Sequence, residues 1–402
     1  MGKKLQPKLR FKGFTDDWEP RTLKKIATLI KEKNRDGKIQ IIYTISARSG
    51  ILPQSLFFDR NIVSKEHIEQ YTLVEKDDFI YNPRVSSDAP YGPIRRNKNP
   101  DQGIVSPLYT VFRTQSINLS FIEYYFQSDK WYRFMYLNGD TGARSDRFAI
   151  KDENFMQMPI VYPKLEEQHC IGESLWVLDS LIAAEKRKLN LLQKKKTTLL
   201  RQIFGQKLRF KGYDKPWEPR RLWEIATVVG GGTPDTNNPL YWNGDINWFT
   251  PAEIGSNAYA SKSERRITEE GLEHSSAKLL PAGRTILFTS RASIGLTAIL
   301  TVDACTNQGF QSLVVSDRTD VFFLFGLCNQ IKAQAIRNAA GSTFIEISGK
   351  QLAKMPLQIP SLNEQRRIGK IVRTMDSLID AATRKIDILK LKKKALLQQM
   401  FV

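Results

Sequence analysis

The sequence contains the same twenty-residue stretch twice. Residues 9–28 read LRFKGFTDDWEPRTLKKIAT and residues 208–227 read LRFKGYDKPWEPRRLWEIAT, with thirteen of the twenty positions identical. A second stretch is also repeated, as PKLEEQHCIGESLWVLDSLI at 163–182 and PSLNEQRRIGKIVRTMDSLI at 360–379. Self-similarity at a fixed separation indicates that a structural unit has been duplicated. The unit takes up about half of the 402-residue chain.

The segments between the repeated stretches, 29–162 and 228–359, do not resemble each other. A duplicated scaffold that carries two different inserts predicts a pseudo-symmetric molecule that recognises two different things. The predicted domains are a first recognition domain over 1–162, a spacer helix over 163–206, a second recognition domain over 207–359 and a second spacer helix over 360–402.

Each copy of the second repeat continues with large residues at alternating spacings of four and three. The spaced positions are Ile171, Leu175, Leu178, Ile182, Glu185, Leu189, Leu192, Lys196, Leu199 and Ile203, and then Ile368, Val372, Met375, Ile379, Ala382, Ile386, Leu389, Lys393, Leu396 and Met400. This 3.5-residue period is that of a coiled-coil seam. It predicts a helix from about 166 to 203, roughly 55 Å long. Because an isolated helix is marginal in water, we expect the two copies to pair, antiparallel to each other.

Lysine occupies one seam position in each helix, at Lys196 and Lys393. A polar seam residue can fix the register of two helices at some cost in stability. A lysine can instead extend its amine to solvent while its methylenes stay buried. We expect the second arrangement, because both lysines lie late in their helices within runs of lysine.

The two inserts alternate short strand-like runs with turns and then continue into a helix. We predict a strand over 104–113 and a helix over 120–136 in the first insert, and a helix around 319–339 in the second. Strands mixed with helices without a regular strand-helix-strand rhythm are typical of α+β proteins. The predicted fold class is therefore α+β, with two pseudo-symmetric α/β recognition domains separated by two long antiparallel coiled-coil helices.

The chain is strongly basic. It has 61 Lys and Arg against 42 Asp and Glu, which gives a formal net charge of +19. A basic surface binds polyanions because it releases the counterions that condense on phosphates. The composition therefore favours a nucleic-acid partner.

Cysteine and histidine are scarce. Cys170, Cys305 and Cys328 form no CxxC pair, and three histidines make a zinc site or a Ser-His-Asp triad improbable. The N-terminal segment has no apolar run of the signal-peptide type, and no stretch of 18 apolar residues occurs. We expect a cytoplasmic protein with reduced thiols and no membrane association.

Sequence motifs of the common catalytic sites are missing. The sequence has no GxxxxGK[ST] loop for a nucleotide phosphate and no GxGxxG after a strand for a dinucleotide. It also has no cluster with metal-ligand spacing. We therefore predict a non-catalytic chain that binds no cofactor and no metal of its own.

Several of these stretches together resemble the specificity (S) subunit of type I restriction-modification systems. The stretches are the doubled WEPR with IAT behind it, GGTP at 231–234, WNGDINWFTPAEIG at 242–255, SRASIGLTAI at 290–299, TNQGFQSL at 306–313, and the repeated EQ, IG and DSLI positions. They cover nearly the whole chain. The first insert departs from the GGTP pattern and matches only loosely, through VSPLYTVF at 105–112.

The resemblance implies a non-catalytic DNA-recognition subunit found in bacteria or archaea. Each insert would read one half of a bipartite site in double-stranded DNA, and the helices would set the gap between the halves. The implied partners are two modification (methyltransferase) subunits, which bring S-adenosylmethionine and flip out the target adenine. Restriction (motor-nuclease) subunits, which use ATP and Mg²⁺, would join them.

Candidate DNA-binding residues lie in polar, glycine-containing loops, because Arg, Asn, Gln, Ser and Thr read base edges and bind phosphates. In the second insert they are Thr233, Thr289, Ser290, Arg291, Ser293, Asn307 and Gln308, which lie in the loops that match the family. In the first insert they are Arg84, Ser86, Arg95, Arg96, Arg144 and Arg147, chosen on loop chemistry alone.

Two other classes of protein remain open at this point. One is a self-contained nuclease whose site the motifs do not reveal; it would cleave DNA with Mg²⁺ and no partner. The other is a helical adaptor protein that binds RNA or protein through its long helices; it would show salt-dependent binding that ignores DNA sequence.

Overall fold

The computed structural model describes residues 5–56, 65–141, 146–255, 257–291, 293–339 and 345–402. Contacts within the chain divide it into two compact units. The first unit comprises Met1–Ala184 and Ile386–Val402, and the second unit comprises Glu185–Lys385. The second unit is thus continuous in sequence, whereas the first is completed by the C-terminal segment.

The N-terminal half of the chain contains twelve strands and five α-helices within the described residues. The strands are β1 (Glu19–Thr22), β2 (Ala27–Leu29), β3 (Tyr43–Ser46), β4 (Gly50–Pro53), β5 (Thr72–Val74), β6 (Phe79–Tyr81), β7 (Ile94–Arg96), β8 (Gly103–Val105), β9 (Thr110–Thr114), β10 (Asp140–Thr141), β11 (Phe148–Ala149) and β12 (Pro159–Tyr162). The helices are α1 (Leu23–Ile26), α2 (Leu119–Tyr125), α3 (Tyr132–Asn138), α4 (Asp152–Phe155) and the long α5 (Leu165–Phe204).

The C-terminal half repeats the same kind of element order. Its strands are β13 (Glu218–Arg221), β14 (Ala226–Gly230), β15 (Trp242–Phe249), β16 (Tyr259–Ala260), β17 (Arg265–Ile267), β18 (Thr285–Phe288), β19 (Thr297–Leu300), β20 (Ala304–Thr306), β21 (Gln311–Val315) and β22 (Pro356–Ile359). Its helices are α6 (Leu222–Ile225), α7 (Glu269–Glu273), α8 (Val321–Asn338), α9 (Gly349–Ala353) and the long α10 (Leu362–Gln399).

The sheets are small and mostly antiparallel. The largest in the first unit has the order β2-β9-β6-β7, and the second unit has a five-stranded sheet, β14-β21-β18-β19-β16, and a three-stranded sheet, β17-β15-β20. In each unit a helix of the insert, α2 or α8, packs into the same apolar core as the main sheet. This arrangement confirms the predicted α+β class.

The repeated WEPR stretch forms the same structure in both units. In the first unit β1 pairs antiparallel with β12, and in the second β13 pairs antiparallel with β22. Trp18 and Trp217, which directly precede β1 and β13, are buried in the cores of their units. The duplicated residues therefore build the frame into which each insert is set.

An ion pair connects each copy of LRFKG to the start of a long helix. The guanidinium of Arg10 donates two hydrogen bonds, of 2.7 and 2.8 Å, to the carboxylate of Glu167. Arg209 donates equivalent bonds of 3.1 and 2.7 Å to Glu364. Both glutamates are 1% exposed. Because a buried carboxylate needs a partner, the Arg of one repeated stretch is matched to the Glu of the other.

The glutamine that follows each of these glutamates joins three chain segments. Gln168 accepts a hydrogen bond of 2.9 Å from the backbone N–H of Asn118, the residue that caps α2, and donates one of 2.8 Å to the carbonyl of Pro163. Gln365 forms the same two bonds in the second unit, from the Asp320 N–H and to the Pro360 carbonyl. The repeated EQ pair thus fixes how the long helix leaves the frame.

The two long helices pack against each other, as the seam pattern predicted. Every predicted seam position of α5 and α10 is buried or half-buried. In the first unit Ile171 and Leu175 share a core with Met400, and in the second Ile203 shares one with Val372. The start of each helix therefore meets the end of the other, which is the antiparallel arrangement.

The expectation that the seam lysines extend to solvent is wrong. In the second unit the Lys196 ammonium forms an ion pair with Asp376, whose side chain is only 6% exposed. In the first unit Lys393 lies 2.7 Å from Asp179, whose other oxygen accepts a hydrogen bond from the Tyr124 hydroxyl. Each lysine therefore has a carboxylate partner on the facing helix, which is the register-fixing arrangement.

Two elements of the first insert are shorter than predicted. The helix expected over 120–136 is two helices, α2 and α3, because the Ser128 hydroxyl and the Trp131 indole N–H bond to the carbonyls that end α2. The strand expected over 104–113 is divided into β8 and β9. Pro107, which has no N–H for a ladder, lies in the turn between them.

The pair between Lys196 and Asp376 can be tested by a double-mutant cycle. We expect Asp376→Leu to lower the free energy of unfolding by about 3 kcal/mol, because it leaves a half-buried ammonium without its partner. The double variant Lys196→Met/Asp376→Leu should recover most of that loss. Urea unfolding measures both effects.

The matched control is Asp380→Leu, one turn along the same helix. Asp380 pairs with the exposed Arg384, and an exposed pair contributes about 0.5 kcal/mol. If the double variant were as unstable as Asp376→Leu alone, the loss of stability would not come from an unpaired Lys196 ammonium.

Candidate nucleic-acid interface

Three loops of the second insert meet at one end of the five-stranded sheet. β14 ends and β21 begins with the pair Gly230 and Gln311. The loop after β18 starts at Thr289, which forms a bridge to Phe310 just before β21. The loops that follow β14, follow β18 and precede β21, which hold the candidate residues of the second insert, therefore lie side by side.

Hydrogen bonds hold these three loops together. The Thr233 hydroxyl donates to the Gln308 side-chain oxygen over 2.6 Å, which joins the first loop to the third. The Gly232 N–H donates to the Thr306 carbonyl over 2.8 Å, and the Ser290 N–H donates to the Gly309 carbonyl over 2.8 Å. The loops thus form one surface with a fixed backbone.

The candidate residues of the second unit divide into exposed and buried ones. Arg291, Ser293 and Gln308 are exposed, whereas Thr233 and Asn307 are half-buried. Asn307 also accepts the Gly309 N–H with its side-chain oxygen. This set places a guanidinium, hydroxyls and amides on one loop surface, which are the groups that bind base edges and phosphates.

Thr289 and Ser290 lie inside the loop and not at its surface. Both are 0% exposed. The Thr289 hydroxyl donates to the Ser293 carbonyl and accepts the Leu296 N–H, so it closes the loop on itself. Their burial favours a role in shaping the loop, and the direct DNA contact expected of them stays a prediction.

In the first unit Arg84, Ser86 and Arg147 lie close together. Arg84 and Arg147 face each other in an antiparallel bridge. The flanking residues support it, with the Val85 N–H donating to the Asp146 carbonyl and the Phe148 N–H to the Pro83 carbonyl. Arg84 and Ser86 are exposed. Two like charges directly opposite each other are unfavourable unless an anion lies between them.

Arg95 and Arg96 are engaged within the protein, and their predicted role as DNA contacts stays a prediction. Arg96 lies 2.6 Å from Asp77 and 3.5 Å from Glu123. Arg95 donates to the Ala47 carbonyl, and burial lowers the pKa of its guanidinium. Both arginines thus join β7 to neighbouring segments. Arg144 lies outside the described residues.

Arg265 is a candidate that the sequence did not single out. Its guanidinium carbon lies 3.6 Å from the centre of the Trp242 ring. The WNGDINW stretch that contains this tryptophan is one of those that resemble the family. No sequence pattern, however, predicts that Trp242 contacts Arg265, which lies more than twenty positions later. From the sequence alone, Arg265 cannot be distinguished from the many other basic residues of the chain; its contact with Trp242 sets it apart.

Two negative findings apply to the described residues. Among them, no group of three or more His, Cys, Asp and Glu side chains is arranged to hold a metal ion. No helix among them is both long enough and apolar enough to cross a membrane.

Comparison with known proteins shows the family. The profile of the type I restriction modification DNA specificity domain matches residues 15–194 and again 214–391. These two matches include both frames, both inserts and most of both long helices. The chain therefore belongs to the family of type I restriction modification DNA specificity domains, and it contains two of them.

Individual relatives agree with this membership. The specificity subunit of the MjaIX type I restriction enzyme of Methanocaldococcus jannaschii is 35% identical over 44% of this chain and 41% of its own length. The EcoR124I/EcoR124II specificity subunit of Escherichia coli is 31% identical over 58% of this chain and 59% of its own length. These alignments thus span about half of each relative.

A solved structure has the same fold. The crystal structure of the S subunit of a type I restriction-modification system from M. genitalium matches with a TM-score of 0.62. The match covers 99% of both chains at 17% sequence identity. At this identity the likeness concerns the fold alone.

Gly231 provides a test of how closely the loops must approach. A Cβ at this position would lie 2.0 Å from the Asn307 carbonyl oxygen and 2.4 Å from that of Thr306. We expect Gly231→Ala to push the first and third loops apart and to destabilise the second unit by about 1–3 kcal/mol. Urea unfolding measures the loss.

The control is Gly230→Ala in the neighbouring position. A Cβ there would have no neighbour nearer than 3.7 Å, which is ordinary packing distance. The control should be close to neutral. If Gly230→Ala and Gly231→Ala lowered the free energy of unfolding equally, the close contact of Gly231 with the Asn307 carbonyl would not explain the loss.

Proposed function

We propose that this chain is the DNA-recognition subunit of a type I restriction-modification complex and that each unit reads one half of a bipartite site. The observation that carries the proposal is that two copies of one frame hold two different clusters of exposed side chains, Arg84 and Ser86 in the first unit and Arg291, Ser293 and Gln308 in the second. The net charge of +19 supports DNA as the ligand of both clusters. The relatives, which are specificity subunits of type I restriction enzymes, support it as well.

The proposed DNA contacts are the exposed and half-buried loop residues. In the second unit they are Thr233, Arg291, Ser293, Asn307 and Gln308, and in the first unit Arg84, Ser86 and Arg147. The DNA contacts at Thr289, Ser290, Arg95, Arg96 and Arg144 stay predictions. The bridge between Arg84 and Arg147 supports a phosphate or another acceptor between the two guanidinium groups, because such a ligand removes their mutual repulsion.

The chemistry of the complex would belong to partner subunits. We propose two modification subunits with bound S-adenosylmethionine, docked on the helices and the frame, and restriction subunits that use ATP and Mg²⁺. The absence of phosphate-binding and cofactor-binding motifs from the sequence supports this division of labour. The assembly would act on DNA in the cytoplasm of a bacterium or archaeon.

The long helices would set the number of base pairs between the two half-sites. Their lengths of 40 and 38 residues correspond to roughly 60 Å at 1.5 Å per residue. A turn of DNA is roughly 34 Å long. The helices are therefore long enough to separate two readers by one turn or somewhat more.

An exchange of inserts tests the division of the site. We expect replacement of residues 228–359 by the corresponding segment of a relative to change one half-site and to leave the other half-site and the gap unchanged. Methylome sequencing of cells that express the hybrid with its modification partner reads the outcome.

The matched control replaces residues 29–162, which should change the other half-site. A hybrid that alters both halves, or a purified chain that cleaves plasmid DNA with Mg²⁺ alone, would contradict the proposal.

The role of the helices can be tested separately by adding one heptad to each. The insertion points lie between residues 184 and 185 and between 385 and 386, where the chain passes from one unit to the other. Seven residues add about 10 Å and keep the seam in phase. We expect a gap longer by a few base pairs and unchanged half-sites in the methylome.

A heptad in α5 alone is the control for this experiment. It should destabilise the chain, because the seam positions beyond the insertion lose their partners. If half-sites changed while the gap stayed constant, the helices would not set the spacing.

A further inference from the structure

Arg265 of the second unit lies over the Trp242 ring and beside Trp248. Its guanidinium carbon is 3.6 Å from the centre of the Trp242 ring and 5.6 Å from that of Trp248. The two indoles meet edge to face with their centres 5.2 Å apart. Both indoles are buried, whereas Arg265 is exposed. The arginine therefore covers the solvent side of an aromatic cluster.

The three-stranded sheet fixes the backbone that carries Arg265. Arg265 of β17 is paired with Trp248 of β15, so both side chains lie on the same face of the sheet. The hydroxyl of the buried Ser263 accepts the Trp248 N–H over 3.0 Å and donates to the Arg265 carbonyl over 2.5 Å. Both ends of the contact between the guanidinium and the indoles are thus held by strands.

The same two indoles hold the loop that contains Thr233. The Trp248 indole N–H donates to the Gly232 carbonyl over 2.8 Å, and the Trp242 indole N–H donates to the Asp235 carbonyl over 3.0 Å. The rings therefore connect Arg265 directly to the first of the three loops that meet at the end of the five-stranded sheet. Arg265, which comes from a different sheet, is thus linked to that loop through the two indoles.

The charge of Arg265 has no ion-pair partner among the described residues, in contrast to the charges of Arg96 and Arg209. Contact between the face of a guanidinium and an indole leaves the N–H groups at the edge of the fork available. The contact also restricts a side chain that otherwise loses rotamer freedom on binding. Arg265 is thus a pre-oriented donor that faces solvent.

We propose that Arg265, oriented by Trp242, is a DNA-binding residue of the second unit. Its planar fork fits a pair of acceptors, either two oxygens of one phosphate or O6 and N7 of a guanine. The proposal rests on the proposed function, since it assumes that the second unit contacts DNA. It adds a contact outside the three loops, on the side of the Thr233 loop where the two indoles lie.

Arg265→Met is the decisive substitution, because methionine keeps an apolar contact with the indole and removes the fork. The protein to use is the full chain in complex with its modification subunits. The DNA is a duplex that carries the site found by methylome sequencing of the wild type. We expect binding to weaken at least about 10-fold at constant salt, in line with the loss of one bidentate contact. Arg265→Lys, which keeps the charge and loses the planar fork, should weaken binding by an intermediate factor.

The control is Arg266→Met on the same strand. It removes the same charge from the next residue, whose side chain lies on the opposite face of the sheet. Its effect on binding should be clearly smaller. Urea unfolding of all three variants separates loss of binding from loss of folding. If Arg265→Met does not fold, the DNA binding of Arg265→Lys tests the proposal in its place.

Two patterns of loss support the proposal and identify the acceptor. Relaxed recognition at one position of one half-site indicates a guanine, whereas a uniform loss with a salt dependence reduced by about one unit indicates a phosphate. Binding of Arg265→Met equal to that of the wild type or of Arg266→Met would overturn this proposal alone. If the wild-type complex bound no duplex with sequence preference, the proposed function would fail first.

Discussion

The antiparallel pairing of α5 and α10 is the constraint on which the other features depend. Helices of 40 and 38 residues need a packed face to be stable in water. The seam supplies that face, and the Lys196–Asp376 and Lys393–Asp179 pairs allow only one register without leaving a charge unpaired. Each frame is attached at the start of one helix, through Glu167 or Glu364. In each unit the register therefore also determines which part of the facing helix packs beside the frame.

Much of the fold could be predicted from the sequence because duplication makes the pattern visible. The seam follows from spacing alone, and α5 spans Leu165–Phe204 where the spacing predicts 166–203. The lysines show where such prediction stops. Asp376 lies 180 positions from Lys196, and spacing along one helix carries no information about the residue that faces it. The stretch over 120–136 was likewise predicted as a single helix, because its pattern does not show the turn at Ser128 that separates α2 from α3.

The candidate interface was predicted less well, since polarity alone does not decide whether a side chain meets solvent. Thr289 and Arg291 lie two positions apart, yet the first is buried in a loop-closing network and the second is exposed. Arg96 and Arg265 are both basic residues of short strands. Asp77 neutralises the first, whereas an indole supports the second and leaves its charge available. These differences arise from contacts between segments that are distant in sequence.

The reciprocal ion pairs of the seam have a consequence for how such chains diverge. Asp179 and Asp376 occupy equivalent positions of the two repeats, and so do Lys196 and Lys393. Loss of one carboxylate leaves an ammonium on the facing helix without its partner, so the two members of a pair have to change together. The partners are 180 positions apart in one pair and 214 in the other. Because the two pairs lie in different units, the residues of one pair can change without a change in the other. The two halves of a duplicated chain can therefore diverge in sequence while α5 and α10 keep the same register.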